Sequence, residues 1–200
     1  MKRIVIALAL IVCGCVCSYG QTAKSVLDKC AAKISAKSGV TADFIMTSAQ
    51  YGDANGSISV KGQKFMATTA AATMWFDGKT LWTYMAKNNE VNVTTPTEAQ
   101  LQALNPYNFI GMYKKGFSYT MTKSGSTFIV HLTASDAKRK VQELFITVDN
   151  KSYIPSVVKM RQGTKWTSFT IKNFKATKLD DSVFRFNSRE FPSAEVIDLR

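Results

Sequence analysis

The sequence is short of the residues that catalysis usually draws on. It has one histidine, His131. A Ser-His-Asp or Cys-His arrangement would need that residue, yet no motif marks a nucleophile to go with it. Histidine, cysteine and carboxylate side chains nowhere fall at metal-ligand spacing, and no glycine-rich loop suited to phosphate is present. Acidic residues number 14 against 26 basic ones. Their one adjacent pair, Asp180-Asp181, reads as a turn before the last strand. These absences predict a protein that is not an enzyme and carries neither metal nor cofactor.

Cysteine is scarce where it would count. Of four cysteines, Cys13, Cys15 and Cys17 fall in an N-terminal stretch that reads as an export signal. Lys2 and Arg3 form its positive start, an apolar run from Ile4 to Val12 follows, and Ser18 and Gly20 supply small residues for cleavage after Gly20. The organisation expected is a signal peptide over residues 1–20 and one domain over residues 21–200. Two other readings of the leader are an uncleaved anchor and a lipobox at Val12-Cys13-Gly14-Cys15 with Cys15 acylated. After cleavage only Cys30 remains, so no internal disulfide can form and stability must come from a core. Cys30 lies on the apolar stripe of a predicted helix and reads as a small buried hydrophobe.

The formal charge is +12, and it stays strongly positive without Lys2 and Arg3. In a cytosolic chain that balance would raise nucleic acid as a partner. Export argues against this, and the lysines are scattered, with Lys138-Arg139-Lys140 the densest run. The charge fits a solvated basic surface, or attraction to anionic membranes or acidic partners.

What the sequence does have is periodic apolar patterning. Ala23, Val26, Leu27, Cys30 and Ile34 recur at helical spacing within a predicted helix over Thr22–Ser38, which Gly39 should end. From Val40 the period becomes two. Val40, Ala42, Phe44 and Met46 alternate with polar neighbours, as do Ile58 and Val60, Val91 and Val93, Phe117, Tyr119 and Met121, and Phe128, Val130 and Leu132. Turn signals at Gly62-Gln63, Asp77-Gly78, Asn88-Asn89, Ser124-Gly125, Asn150 and Gln162-Gly163 separate about eleven strands between Val40 and Lys175. The fold class expected is mainly β: a curved antiparallel sheet with an N-terminal helix.

One insert interrupts the meander. Thr95-Pro96-Thr97-Glu98 reads as a capping box opening a short helix through Leu104. Asn105-Pro106 then caps a second one carrying Tyr107, Phe109, Ile110 and Met112. Short helices between prolines make few contacts of their own, so Leu101, Leu104, Phe109 and Ile110 are expected to form a mobile lid.

A sheet with one apolar face must cover it. One helix and the insert are thin cover for so many strands, which leaves either a tightly filled core or an unfilled apolar cavity that takes a ligand. Period-two counting places Phe44, Met46, Ile58, Val60, Phe65, Val91, Val93, Tyr119, Met121, Val130 and Leu132 on the wall of such a hollow. The faces of Thr80 to Ala86 stay ambiguous, because Leu81 and Met85 oppose Trp82 and Tyr84.

The stretch Trp75-Phe76-Asp77-Gly78-Lys79-Thr80-Leu81-Trp82-Thr83-Tyr84 resembles the LolA family of periplasmic outer-membrane lipoprotein carriers. Val40-Thr41-Ala42-Asp43-Phe44 resembles the family's first strand, Gly56 to Lys61 its second, Asn105-Pro106 its mid-chain lid, and Phe184-Arg185-Phe186 with Phe191-Pro192 its closing strand and tail. The resemblance spans the mature chain, though only the Asp-Gly-Lys-Thr-Leu-Trp segment is distinctive.

It implies an incomplete β-barrel whose mouth is plugged by helices. Such a monomer would hold lipoprotein acyl chains in its cavity while crossing the periplasm. It would receive them from an inner-membrane lipoprotein-releasing ABC complex and pass them to an outer-membrane acceptor. In the best-known branch of the family an arginine after the second strand latches the lid; that position corresponds here to Gly62, which offers no donor, leaving only Lys61 and Lys64 nearby. Alternatives are a lipid-binding or envelope-sensing relative on the same fold, an exported lipid-acting enzyme, or a structural lipoprotein anchored through Cys15.

Overall fold

A computed structural model describes residues 21–97, 100–101 and 112–200. The expectations for the leader, including Cys15 and cleavage after Gly20, fall outside these residues, as do those for Leu104, Phe109 and Ile110.

The helix α1 spans Ala23–Ile34 and buries Val26, Leu27, Cys30 and Ile34, the predicted stripe. Thr22 caps it, its side chain accepting from Ser25 N at 3.1 Å. The helix ends before Gly39, not at it. Ser38 O accepts from Leu179 N at 2.9 Å and Gly39 O from Thr177 N at 3.0 Å. Pairing with the far end of the chain thus draws Ser38 and Gly39 out of the helix. Gly39 sits at φ +104°, and a β-carbon there would stand 2.7 Å from Leu179 Cδ1.

The strands are β1 (Val40–Ser48), β2 (Ala54–Lys61), β3 (Lys64–Thr69), β4 (Ala72–Phe76), β5 (Leu81–Met85) and β6 (Glu90–Thr94) before the insert. After it come β7 (Phe117–Ser124), β8 (Thr127–Ala134), β9 (Glu143–Asp149), β10 (Pro155–Gln162), β11 (Lys165–Ala176) and β12 (Glu195–Asp198). They form one 12-stranded sheet in the order β12-β6-β5-β4-β3-β2-β1-β11-β10-β9-β8-β7. Strands β1 to β11 pair antiparallel throughout, whereas β12 lies parallel to β6. The sheet is open and curved, an incomplete barrel with an N-terminal helix.

Three hairpins share one device. Gly62, Gly125 and Gly163 each take the first central position of a two-residue turn, at φ +61°, +55° and +60°. Curvature has a local source where β1 meets β11. The register slips between Thr41 and Asp43, with Asn173 at φ +52° and its amide donating to Asp43 Oδ2 at 2.6 Å. A bulge of this kind bends and twists its strand.

The capping box sits two residues later than the sequence suggested. Thr97 Oγ1 accepts from Gln100 N at 3.3 Å, and Gln100 Oε1 accepts from Thr97 N at 2.8 Å. Thr97 is therefore the cap, since glutamine at the third helical position can reach back as glutamate does. Nor does Phe184-Arg185-Phe186 form the closing strand. Phe184 ends a 3-10 turn, Asp181–Phe184, and the last strand is β12.

Candidate functional site

In an antiparallel pair, residues directly opposite share a face. Following the registers across the sheet therefore assigns every inward side chain. Met121 lies opposite Val130, Val130 opposite Ile146, Ile146 opposite Val158, Val158 opposite Phe169 and Phe169 opposite Met46. Phe44, Ile58, Val60, Phe65, Tyr119 and Leu132 fall on this same concave face. Phe44, Ile58, Val60, Phe65, Val130 and Leu132 belong to one buried cluster, with Met46, Tyr119 and Met121 partly buried against it.

Val91 and Val93 do not belong to this face. They stand opposite Tyr84 and Trp82, whereas Leu81 stands opposite Phe76 and Phe76 opposite Phe65. Both valines are buried, but on the outer face. What covers that face is the C-terminal tail. Phe191 packs on Trp75 at 5.5 Å and on Tyr84 at 4.6 Å between ring centroids, and Phe186 meets Trp75 at 5.6 Å. Alternation alone could not see this, because a strand covered on both faces offers apolar residues to either side. The same register settles the ambiguous stretch, with Leu81 and Met85 inward and Trp82 and Tyr84 outward.

The concave face has two regions. Under α1 it is closely packed, with Val26, Leu27, Val130, Leu132, Leu144 and Ile146 fully buried. Across β1 to β4 the inward positions include Ala54, Gly56, Ala67 and Ala72, flanked by the partly exposed Met46 and Met74. Small side chains recess the face there, and unbranched methionines can re-pack around whatever fills the recess. Gly56 is required by contact: a β-carbon would lie 2.0 Å from Thr68 O. Of the lid residues Leu101 is described, partly buried against the core cluster.

Sequence reading missed Met74, Met160, Phe169 and Ile171 as inward residues, although alternation in Met160 and in Phe169–Ile171 carried the signal. It also missed what ties α1 down. Tyr153, at φ +60°, receives Lys29 Nζ on its hydroxyl at 3.2 Å and over its ring at 4.6 Å. On the other flank the Tyr113 hydroxyl donates to Asp28 Oδ1. Among the described residues, Lys61 and Lys64 reach the C-terminal tail. Lys61 Nζ donates to Leu179 O at 2.8 Å and Asp181 Oδ1 at 2.9 Å, and Lys64 Nζ to Asp181 Oδ2 at 2.7 Å.

Burial pushes the Cys30 thiol up to about 12, so it stays protonated. His131 stacks on Phe145 at 4.1 Å and reaches Glu143 at 3.2 Å, on the outer face and away from the recess. Among the described residues no group of His, Cys, Asp and Glu side chains is placed to hold a metal.

A family model described as outer membrane lipoprotein carrier protein LolA matches residues 15–164. No curated protein matches the chain. Among solved structures, an uncharacterized conserved protein from Thermus thermophilus is similar at 11% identity, over 89% of this chain and 99% of that one, with TM-score 0.60. A LolA superfamily protein from Nitrosomonas europaea aligns at 11% identity over 84% of this chain and 99% of that one, with TM-score 0.46. The first of these likenesses shows the shared fold.

Proposed function

Because this chain belongs to the LolA family of outer membrane lipoprotein carriers, we propose that it binds the acyl chains of lipoproteins on its concave face and ferries them across the periplasm. The observation that carries this reading is the recess of small residues between Met46 and Met74 on a face that is largely apolar. Each methylene moved from water onto such a surface is worth roughly 0.8 kcal/mol. No bond is made or broken, and the protein acts as a carrier, not an enzyme. An inner-membrane lipoprotein-releasing ABC complex supplies the cargo and an outer-membrane acceptor removes it, with the leader cleaved after Gly20 to free the mature protein.

The test is native mass spectrometry of protein purified from the envelope, paired with displacement of a fluorescent acyl probe. Triacylated lipoprotein bound one to one, and displaced by the probe, is the expected result. Free lipid alone would favour a lipid-binding relative. Absence of any acyl ligand, with no probe binding, would overturn the reading.

A further inference from the structure

The outer surface carries a feature that cargo binding does not use. Trp166 and Tyr51 are 40% and 53% exposed, and both stand at one end of the sheet. The Tyr51 hydroxyl donates to Gln162 Oε1 at 3.4 Å. Gln162 and Lys165 close the β10–β11 hairpin, in which Arg161 faces Trp166. The loop after β8 abuts the same hairpin, Gln142 N donating to Arg161 O at 3.0 Å and Arg161 returning a hydrogen bond to Gln142 Oε1 at 3.0 Å. That loop holds Lys138, Arg139 and Lys140.

Charge at this end is one-sided. Glu143 pairs with Arg161 and lies against His131, while Asp136 and Asp53, which accept from Lys138 N and Ser48 N, are outnumbered by the basic side chains around them. Lys138, Lys140, Lys159 and Lys165 are exposed and, among the described residues, enter no ion pair. Beside Trp166 an apolar groove of about 690 Å³ runs over Ile129, Phe145 and Val157, with Lys159 in its wall. Phe145 and Trp166 stand 5.9 Å apart.

We infer that this end of the sheet is a docking surface for an anionic phospholipid membrane. Amphipathic Trp and Tyr rings settle at the level of lipid headgroups, and unpaired lysines are drawn to the negative surface beneath. Trp166 stands beside Lys159 and Lys165, and the groove gives the rings an apolar floor that faces the headgroup layer. An acidic protein would satisfy the charge but would leave the two ring faces and the groove without an apolar phase. Trp166 and the groove lie on the opposite face from the cargo recess, so docking and loading are separable.

The experiment is co-sedimentation of the mature protein with vesicles of phosphatidylglycerol, and of phosphatidylcholine alone, at low and high salt. Partition to phosphatidylglycerol vesicles that fades with salt is expected. Tail-brominated phosphatidylglycerol should quench fluorescence in the native protein but much less in Trp166→Phe. Lys138→Ala with Lys140→Ala should weaken partition by about tenfold or more, and Tyr51→Ser with Trp166→Ser severalfold. Acyl-probe binding should be unchanged in all of them, which separates this proposal from the carrier reading. No partition to anionic vesicles, or partition that survives both double substitutions, would overturn it.

Discussion

The hydroxyl of Tyr113 donates to the carboxylate of Asp28, joining the segment that leaves the central insert to the exposed flank of α1. Tyr113 is itself buried. The bond, with Lys24 beside it at 2.6 Å, holds the Asp28 carboxyl below its usual range, Lys24 contributing most. Burial first, and then Asp28, push the Tyr113 hydroxyl above its usual value. The tie is therefore intact at neutral pH. Tyr113→Phe should loosen the insert, giving severalfold faster hydrogen exchange around residues 112–116 and faster acyl-probe uptake. Unchanged exchange would show that apolar contacts alone hold this segment.

The two faces of the sheet should answer differently to substitution. Met46→Gln with Met74→Gln makes the recess polar at similar volume, and acyl-probe affinity should fall about tenfold, near 1.4 kcal/mol. Val91→Thr or Val93→Thr buries a hydroxyl beneath the tail instead. Each should cost roughly 1–3 kcal/mol in urea unfolding while leaving probe affinity alone. Equal loss of affinity in both pairs would place cargo somewhere other than the concave face.

The tail is held by ring contacts as well as by the pairing of β12 with β6. Phe191 touches Trp75, Tyr84 and Phe186, so Phe191→Ala should cost about 1–3 kcal/mol, less than for a fully buried ring. Trp75 should then become open to acrylamide quenching. A Trp75 environment unchanged by the substitution would mean that β12 alone suffices to hold the tail.

Acid should release the start of that tail. Hydrogen bonds from Lys64 and then Lys61 lower the Asp181 carboxyl from its ordinary value to about 2. A carboxylate depressed on folding adds stability above its unfolded value, and the contribution is lost as pH falls through the folded one. Protection of the amides around Asp180 to Phe184 should therefore fade between about pH 4 and pH 2, and Asp181→Asn should reduce that pH dependence to the part carried by Asp180, whose carboxyl is lowered by its cap onto Ser182.

Cys30 should resist iodoacetamide at pH 8 in the folded protein and react readily once urea unfolds it. Its thiol is buried and held at about 12, which leaves almost no thiolate. Fast labelling of the native state would show that α1 lifts off the sheet.

Alternation in Phe44–Met46, Ile58–Val60 and Phe128–Leu132 determined those strands and their inward faces, because a half-buried sheet imprints its period on the chain. Glycine turns at Gly62, Gly125 and Gly163 determined the hairpins, since a positive φ at that position is cheap for glycine alone. The stripe from Val26 to Ile34 determined α1, and Trp75 to Tyr84 pointed to the family. What sequence left open was everything set by distant parts of the chain. Which face Val91 and Val93 bury depends on Phe186 and Phe191, which return from the C-terminus to cover the other side. The end of α1 depends on Thr177 and Leu179 claiming the carbonyls of Gly39 and Ser38. Lys61 and Lys64 were unassigned until Asp181 came within reach. Local pattern encodes period and turn, but a face becomes interior only when something else in the fold lies against it, and only the tertiary structure decided that.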